Sequence, residues 1–565
     1  MGGFRARTLC ATLVVVVAGG LIVSLRGQTA DEPQMLIQEH LGLAAVDEGL
    51  IQDDSHTPSS PETRLRAALR EALLQDRVGA SGGHYRPGRV IVKFRDEVAM
   101  PERRAAARAA SDTGEIADRP SYADFDIVRI DPAEDAEEAA RVLRQRPDVQ
   151  YAQVAHRVHA LFVPNDPLYA TQQWNLPLIN IEKAWDIQPQ AGSSITVAVI
   201  DTGMAYQNAT ITATLPAFRS GGVNYPALGR VTIPYSAAPQ LVSATGSSRI
   251  VAPHDFVNET ATPLDFEGHG THVSGTIGQL TNDGIGTAGV AFNVKLMPVK
   301  VLASEWDLLF AGFTNISNVG GSDDDVARGI RYAADNGARI LNMSLGSSGP
   351  PDCATRPNQS DCSPVIEAAM RYAVGKGCFI VVAGGNEFED TVPPYGKNPT
   401  SVLAEIASRI PGVVSVAAID RAKEHAYYSS SGSYVELSAP GGSERGFGST
   451  GFVRQQTFDF TFTDTFLLPP SQYRAPRFDV FGYIGYIGTS MAAPHVAGVA
   501  AMLMQQGVTD PVVIEEILEK TAVALIPAGG DQCPPGTSAA APRTCSFGFG
   551  LVDARAALRG LGLAK

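Results

Sequence analysis

The chain has 565 residues, of which 44% are hydrophobic and 18% are charged, so it can form about two to four globular domains with sizeable cores. Its formal charge is −14 at pH 7. Binding of nucleic acid requires a basic face, so this charge argues against a nucleic-acid partner.

The N-terminus has the pattern of a secretory signal. Arg5 and Arg7 precede an apolar run at 8–25, and polar residues follow it. This pattern predicts a signal peptide at 1–30 and a secreted protein with no stable membrane partner after cleavage. The apolar run is long, so an uncleaved membrane anchor remains an alternative, as does a periplasmic location.

The next segment, 31–84, is acidic and polar and predicts a linker-like stretch. Residues 85–161 then carry the pattern of a small α+β domain. Their alternation of apolar and polar residues predicts strands at 89–94, 125–130 and 151–161 and helices at 101–114 and 135–149. We expect a ferredoxin-like unit with two helices on one face of an antiparallel sheet.

Residues 162–565 have the alternating strand and helix pattern of an α/β domain. Predicted strands lie at 194–203, 294–302, 339–346, 378–386 and 412–419, and helices at 324–337 and 363–377. This alternation predicts a parallel sheet covered by helices on both faces, which makes three layers. In such sheets, active sites collect at the carboxyl ends of the strands.

Three polar residues lie where this α/β pattern predicts strand or helix ends. Asp201 ends an apolar strand, His269 begins an apolar helical run, and Ser490 precedes a helix of small residues. Acid, base and nucleophile in this order form one of the chain orders of a Ser-His-Asp triad. Taken singly, Asp201 could be a strand-end cap and Ser490 a helix N-cap.

A second histidine, His272, follows His269 by three residues and raises the alternative of a zinc hydrolase. Helical zinc pairs usually place histidines four residues apart with a glutamate between them. Here Gly and Thr lie between the histidines, and Glu267 precedes both. This spacing, and the lack of a third ligand in the sequence, argue against a zinc site.

Three blocks, AVIDTG (198–203), GHGTHVSG (268–275) and GTSMAAPHVAG (488–498), resemble the signature blocks of the subtilisin-like serine proteases. VVAGGNE (381–387) is similar to the block that carries the oxyanion asparagine in that family. The resemblance covers about 164–560. It implies that Ser490 is the nucleophile, His269 the general base and acid, and Asp201 its orienting partner. It also implies that Asn386 donates to the oxyanion beside the Ser490 backbone N–H.

The resemblance further implies a secreted serine endopeptidase made as an autoprocessed zymogen. The unit at 85–161 resembles the inhibitory propeptide of the family, with a cut expected near 159–165, and 31–84 then becomes part of the pro-segment. We expect protein or peptide substrates, the propeptide as an intramolecular inhibitor, and a monomer. The alternative is a catalytically silent relative that only binds peptides.

Two short segments resemble the substrate-binding edges of the family, where an extended peptide adds as a strand. Ser344, Leu345 and Gly346 match one wall of the first specificity pocket, and Ala383, Gly384 and Gly385 match the other. The alternative for these residues is an ordinary transition from strand to loop.

The segment LTNDGIGTAG (280–289) resembles the calcium loop of the family. The resemblance implies a structural calcium ion bound by side-chain oxygens of Asp166 and Asp283 and by the carbonyls of Leu280, Ile285 and Thr287. One departure is that the stretch after Asp201 lacks the His-Pro-Asp-Leu segment that supplies a further ligand in relatives. The alternative is a turn built from Asn, Asp and Gly.

The remaining features are cysteines and two long inserts. In an exported chain, short polar loops predict the disulfides Cys353–Cys362 and Cys533–Cys545, whereas Cys378 in an apolar strand predicts a buried free thiol. The inserts at 206–255 and 442–484 are expected near the rim of the active site, and their role cannot be read from the sequence.

Overall fold

The computed structural model describes residues 77–78, 84–117, 119, 122–156, 162–220, 222–242, 249–316, 320–350, 362–392, 395–534 and 538–559. The predicted signal peptide, nearly all of the 31–84 segment, Cys353 and residues 157–161 lie outside them. The described residues form two compact units, one within 13–158 and one within 159–565. Within the described residues, no helix combines the length and apolar character needed to cross a membrane.

The smaller unit is an antiparallel sheet with two helices. Its elements are β1 Arg77–Val78, β2 His84–Phe94, α1 Met100–Ala110, β3 Glu115–Ile116, β4 Asp126–Arg129, α2 Ala136–Arg144 and β5 Val149–His156. The central strand β2 pairs with β1, β4 and β5, and β3 pairs with β4. Val90, Val92 and Phe94 alternate toward an apolar cluster that includes Leu143 of α2, so one face of the sheet is covered by helices as predicted.

Both helices of this unit are shorter than the sequence predicts. The helix predicted at 135–149 ends at Arg144, because Pro147 has no N–H to donate and disfavours a helical conformation before it. Val149 instead begins β5. The helix predicted at 101–114 ends at Ala110, where Ser111 is extended and its hydroxyl accepts from the Thr113 N–H.

The larger unit contains all the remaining elements. Its strands are β6 Thr196–Asp201, β7 Ala209–Leu215, β8 Phe218–Ser220, β9 Val223–Tyr225, β10 Gly229–Tyr235, β11 His254–Asp255, β12 Lys295–Lys300, β13 Ile340–Met343, β14 Ser348–Gly349, β15 Phe379–Ala383, β16 Thr391–Val392, β17 Gly396–Lys397, β18 Thr400–Ser401, β19 Val413–Ile419, β20 Leu437–Pro440, β21 Val453–Phe458 and β22 Phe481–Tyr486.

Its α-helices surround the sheet. They are α3 Tyr169–Gln172, α4 Asn175–Leu178, α5 Ile181–Ile187, α6 His269–Gly278, α7 Glu305–Phe310, α8 Asp323–Asp335, α9 Pro364–Gly375, α10 Val402–Ala407, α11 Phe460–Thr463, α12 Thr489–Gln505, α13 Pro511–Thr521 and α14 Ala554–Arg559.

The core of the larger unit is a seven-stranded parallel sheet in the order β11-β12-β6-β13-β15-β19-β20. In β6, Val197 and Val199 belong to one apolar cluster. Ala198 and Ile200 belong to a second cluster. Because successive side chains point to opposite faces, the two clusters lie on the two sides of the sheet. The predicted three-layer α/β architecture is confirmed.

The parallel strands bring the ends of distant segments to one edge of the sheet. Strand β6 ends at Asp201, β13 ends just before Ser344, and β15 ends at Ala383. Helix α6 comes close to this edge because Gly270 has no side chain: a Cβ there would lie 2.2 Å from the Gly203 carbonyl oxygen. The sequence-predicted residues therefore gather where the strands end.

The two long inserts contact each other. The 206–255 insert contributes the β7–β10 hairpin, and the 442–484 insert contributes β21 and the start of β22. Tyr235 and Phe478 form a parallel bridge, and the Phe478 N–H donates to the Pro234 carbonyl at 3.0 Å. Tyr235 is 2% exposed and Phe478 is 0% exposed. The inserts therefore share an apolar core and are not merely polar loops.

The cysteines largely follow the predictions. The Cys533–Cys545 disulfide is confirmed, and Cys378 is confirmed as a buried free thiol whose Sγ lies 3.2 Å from the Ala338 carbonyl. Burial raises the pKa of Cys378 to about 11, so the thiol stays protonated at neutral pH. Cys362 is disulfide-bonded. Its predicted partner Cys353 lies outside the described residues, so that pairing stays a prediction.

Candidate active site

Asp201 and His269 form a buried hydrogen-bonded pair. Asp201 lies at the end of β6 and His269 is the first residue of α6, and the Nδ1–H of His269 donates to Asp201 Oδ1 at 2.7 Å. The Thr202 backbone N–H donates to the same oxygen at 2.7 Å. With Nδ1 as the donor, Nε2 of His269 is left as the basic nitrogen. The pair thus holds the imidazole in the tautomer that can accept a proton.

The charges around His269 favour its protonated form. Burial of the ring lowers the pKa of His269. This effect is outweighed by the charge and hydrogen bond of Asp201 and by the charges of Glu267 and Asp265, so the pKa rises to about 9. Glu267 Oε2 accepts from the His269 backbone N–H at 2.5 Å. Burial raises the pKa of Glu267 itself to about 8. The site is therefore built to stabilise an imidazolium.

A fully buried carboxylate, Asp265, connects the strand end to the start of α6. Its Oδ1 accepts hydrogen bonds from the Thr202 hydroxyl and from the backbone N–H groups of Glu267 and Gly268. Its Oδ2 accepts from the backbone and the hydroxyl of Thr271. Asp265 thereby fixes Asp201 and His269 relative to each other. The sequence analysis missed it because a lone Asp before a Gly-rich turn reads as an ordinary loop residue.

Ser490 is half-buried in the first turn of α12. Its Oγ donates to the Ser344 carbonyl oxygen at 3.2 Å, and the Ser344 hydroxyl donates in return to the Ser490 carbonyl at 2.8 Å. Among the described residues, Ser490 Oγ has no hydrogen bond to His269. The hydroxyl must therefore turn about its Cα–Cβ bond to reach a base.

Asn386 and the Ser490 backbone N–H face a common point. The Asn386 side-chain oxygen accepts from the backbone N–H and the hydroxyl of Thr489, both at 2.9 Å, which directs Nδ2 away from Thr489. A Cβ built on Gly488, whose φ is +150°, would lie 3.6 Å from both Asn386 Nδ2 and Ser490 N. A glycine keeps this space open. Two N–H donors around one open point are suited to an oxyanion.

Thr489 and Glu387 hold Asn386 in place, and the sequence analysis did not single them out for this role. The Thr489 hydroxyl also accepts from the Gly385 N–H at 3.2 Å, and Glu387 Oε2 accepts from the Asn386 N–H at 2.8 Å. The contacts of Thr489 with Asn386 and Gly385 span about 100 residues of sequence, which no local pattern signals, whereas Glu387 is the chain neighbour of Asn386.

The predicted substrate-binding residues lie on two neighbouring strand ends. Ser344, Leu345 and Gly346 follow β13 and become progressively more exposed, from buried to half-buried to exposed. Ala383 ends β15, where the Gly384 N–H donates to the Val416 carbonyl at 2.9 Å. Since β13 and β15 are adjacent in the sheet, the two segments are neighbours, and both contact the start of α12, where Ser490 lies. Substrate contact by these residues stays a prediction.

His272 does not share a site with His269. It is 0% exposed, its Nε2 lies 3.2 Å from the carbonyls of Val453 and Ile484, and its ring stacks on Tyr486 with centroids 4.5 Å apart. Burial and the neighbouring charge of His269 lower the pKa of His272 to about 3. Among the described residues, neither cluster of possible metal-binding side chains contains either histidine. The zinc alternative thus lacks support.

The residues predicted to bind calcium lie together. The Asn282 N–H donates to Asp166 Oδ2 at 2.7 Å, and the Ile285 N–H donates to Asp283 Oδ1 at 3.0 Å. Burial and the nearby carboxylate of Asp283 outweigh the Asn282 hydrogen bond and raise the pKa of Asp166. Two acidic side chains from segments more than 100 residues apart therefore lie close to each other.

Several oxygens around this loop are free to bind a cation. Asp166 Oδ1 is buried without a partner within the part of the chain that the structure describes. In that same part, the carbonyls of Leu280 and Ile285 accept no hydrogen bond. The Thr287 carbonyl accepts one, from Gln279 Nε2 at 2.9 Å, and keeps a second lone pair. This set of hard oxygens fits calcium.

The chain is similar to proteins of known family. The subtilase family matches residues 192–551, and the fervidolysin N-terminal prodomain matches residues 74–154. The thermophilic serine proteinase of Bacillus sp. (strain AK1) is 28% identical over 440 residues, which are 78% of this chain and 83% of that protein. An extracellular protease of Xanthomonas campestris pv. campestris is 30% identical over 433 residues, which are 73% of this chain and 62% of that protein.

Among solved structures, fervidolysin from Fervidobacterium pennivorans is 22% identical, with a TM-score of 0.45, over 84% of this chain and 61% of that chain. The subtilase match spans more than half of the 565 residues and includes Asp201, His269, Asn386 and Ser490. The resemblance seen in the sequence motifs is thereby confirmed. The chain belongs to the subtilase family and is a subtilisin-like serine protease with an N-terminal prodomain.

Proposed function

We propose that this protein is a secreted endopeptidase that cleaves peptide bonds with Ser490, His269 and Asp201. The observation that carries the proposal is the buried 2.7 Å hydrogen bond between Asp201 and His269, at the same sheet edge as Ser490. The open point between Asn386 Nδ2 and the Ser490 N–H adds support, because a peptidase needs donors where the oxyanion forms.

In the proposed mechanism, Ser490 leaves its hydrogen bond to Ser344 and turns toward Nε2 of His269. His269 takes the hydroxyl proton while Ser490 Oγ attacks the scissile carbonyl carbon. Asn386 Nδ2 and the Ser490 N–H stabilise the oxyanion. The imidazolium, stabilised by Asp201, then gives its proton to the leaving amine. A water molecule, deprotonated by His269, hydrolyses the acyl-enzyme and regenerates Ser490.

The proposal includes strand addition as the mode of substrate binding. The segments 344–346 and 383–385 flank Ser490, and an extended peptide that pairs with both would place its carbonyl near the oxyanion donors. Segment 344–346 ends in an exposed glycine, which allows close approach of a second backbone. Main-chain pairing of this kind accepts many sequences, so it supports an enzyme that acts on proteins.

We also propose that the protein is exported and matures by its own activity. The signal-like pattern at 1–30 and an extracellular protease among its relatives support export. The match to a prodomain at 74–154 supports an inhibitory role for the 85–161 unit until a cut near 159–165. Residues 162–165 pass through Pro164 in an irregular segment, which supports cleavage there.

The proposal further includes one structural calcium ion at the 280–287 loop. Asp166 and Asp283 would hold it with the carbonyls of Leu280, Ile285 and Thr287. The free, buried Asp166 Oδ1 supports this assignment. A bound divalent cation supplies charge neutralisation between the two carboxylates and takes no part in the chemical steps.

A serine-directed fluorophosphonate label tests the nucleophile. We expect the mature wild-type enzyme to take up one label and Ser490→Ala to take up none, because the label forms a covalent bond only with an activated serine. Ser322→Ala is the matched control, since it removes an exposed serine hydroxyl outside the site and should leave labelling in place. Intact mass spectrometry of each protein gives both the label count and the first residue of the chain.

Two outcomes would contradict the proposal. Equal labelling of wild type and Ser490→Ala would reject the nucleophile, and an unlabelled mature wild type would favour a catalytically silent peptide-binding protein. A labelled enzyme that begins at residue 31 would leave the nucleophile intact and reject the maturation step.

The pH profile tests the charge environment of His269. We expect kcat/KM to rise with pH and to reach half its maximum near pH 9, because His269 must be neutral to accept a proton and its pKa is raised to about 9. Glu267→Gln removes a charge that favours the imidazolium, so the half-maximum should move to lower pH. Steady-state kinetics on a peptide substrate between pH 5 and pH 11 give the half-maximum of kcat/KM for the wild type and for Glu267→Gln.

Glu516→Gln serves as the control for this shift. Glu516 is exposed on α13 and paired with Lys520, so the substitution makes the same change in net charge away from the site. It should leave the profile unchanged. A profile centred near the ordinary histidine pKa of about 6.5 would contradict the proposed environment.

A further inference from the structure

A glutamine of the first insert is fixed against the calcium loop. Gln240 follows β10 and is 3% exposed. The Leu280 N–H donates to its backbone carbonyl at 2.9 Å, and its Nε2 donates to Asp283 Oδ2 at 3.1 Å. Gln240 thus contacts the loop at two of the positions expected to bind calcium.

Among the described residues, the side-chain oxygen of Gln240 has no hydrogen-bond partner. Its backbone N–H donates to Gln456 Oε1 at 2.9 Å, so three of the four polar groups of Gln240 are paired. The fourth, Oε1, is buried without a hydrogen bond within the described residues. A buried amide oxygen that has lost its bonds to water is unfavourable unless something binds it.

Asp166, which lies beside the same loop, also has an oxygen without a partner among the described residues. Asp166 Oδ1 is buried without a partner among the described residues, and Asp166 itself is 3% exposed. Its carboxylate and that of Asp283 lie close together. Both atoms are hydrogen-bond acceptors, so a cation or a donor group would satisfy each of them.

The Gln240 carboxamide can present oxygen to the loop. Its two terminal atoms exchange places when the group rotates by 180°, which would bring Oε1 to the position that Nε2 now holds, 3.1 Å from Asp283 Oδ2. Two oxygens at such a separation can share one cation, since calcium binds each at about 2.4 Å. The hydrogen bond from Nε2 then satisfies Asp283 only while no cation is bound.

We propose that Gln240 Oε1 is a ligand of the calcium ion and that this bond couples the 206–255 insert to the 280–287 loop. The inference rests on the calcium site proposed above and adds to it a residue from outside the motif. Because α6 ends at Gly278, just before the loop, the cation then joins the insert to the end of the helix that carries His269.

Tyr483 of the second insert provides an optical probe of the same site. A Cβ on Gly286 would lie 2.0 Å from the Tyr483 hydroxyl, so the phenol rests directly on the loop. A terbium ion, which replaces calcium in oxygen sites, should emit when this tyrosine is excited. The emission reports metal binding without any reference to catalysis.

The experiment uses the full chain with Ser490→Ala, which prevents self-digestion. Terbium emission and calcium calorimetry are measured for this protein and after adding Gln240→Leu, Gln240→Glu or, as the matched control, Gln190→Leu at an exposed glutamine. We expect Gln240→Leu to weaken calcium binding on the order of 10–100-fold. Gln240→Glu should bind as tightly as the parent or more tightly, because it keeps an oxygen at the position. Gln190→Leu should bind like the parent.

The substitution by glutamate separates a ligand from a structural role. If Gln240 acts only as a hydrogen-bond donor to Asp283, Gln240→Glu replaces that donor by a negative charge and loses binding as Gln240→Leu does, which would overturn the inference. Binding of Gln240→Leu within twofold of the parent would also overturn it while leaving the calcium site in place. A parent protein without saturable calcium binding would overturn the site itself, and the Ser490 labelling would still decide the protease mechanism.

Discussion

His269→Ala should lower kcat by about 10⁶-fold, the magnitude known for removal of the base from a serine-protease triad. Without the imidazole, Ser490 loses the proposed acceptor of its proton, and the Asp201 carboxylate loses the group that it orients. KM should change little, because the binding edges at 344–346 and 383–385 do not contain His269. Steady-state kinetics on a peptide substrate measure the effect, and calcium binding should be retained.

His272→Ala is the control for this substitution, since it removes the same side chain one turn along α6. It should keep most of the turnover and lower the free energy of unfolding by about 3 kcal/mol, because it opens a cavity beside Tyr486 and removes the Nε2 contact with the Val453 and Ile484 carbonyls. Thermal unfolding measures the loss. Equal loss of turnover in both variants, with both folded, would contradict the assignment of His269 as the sole base.

Asn386→Ala should lower kcat by about 10²–10³-fold with little change in KM, because Nδ2 is aimed at the oxyanion and not at the ground-state substrate. The side-chain oxygen of Asn386 is already occupied by Thr489, so the amide can contribute only as a donor toward the open point beside Gly488. Kinetics on one peptide substrate, with kcat and KM resolved, measure the effect.

Thr489→Val tests whether the orientation of Asn386 matters. It removes the hydroxyl bond to Asn386 and keeps the backbone bond. Loss of one such bond corresponds to about 1 kcal/mol, or about fivefold in kcat. A loss in Asn386→Ala that appears only in KM would instead assign Asn386 to substrate binding.

The sequence predicted the fold class and most of the site because these depend on local patterns. Strand β6 is an apolar run that ends in a carboxylate, and α6 and α12 begin at short motifs of small and polar residues. The carboxyl ends of parallel strands lie at one edge of the sheet, so a residue that ends a predicted strand can be placed at that edge from the sequence alone. The helix predicted at 135–149 ends early for an equally local reason, since Pro147 disfavours a helical conformation in the residues before it.

Other parts of the site depend on contacts between distant segments. Asp265 reads as a loop residue until the fold brings Thr202 and Thr271 to it. Ser490 donates to Ser344 across 146 positions, a bond that no motif announces. The apolar core between the two inserts forms only when Tyr235 and Phe478 meet.

Periodicity in the sequence was enough to predict the α/β architecture, and three short motifs were enough to predict the protease family; both are confirmed. The assignment of Asp201, His269 and Ser490 as the triad rests on the same motifs and stays a prediction. The tertiary structure was needed to show the hydrogen bonds of Asp265, the partner of the Ser490 hydroxyl and the position of the Gln240 side chain. The physical reason is that burial and hydrogen-bond satisfaction are properties of a packed neighbourhood. An oxygen such as Gln240 Oε1 becomes unpartnered only after the chain around it has folded.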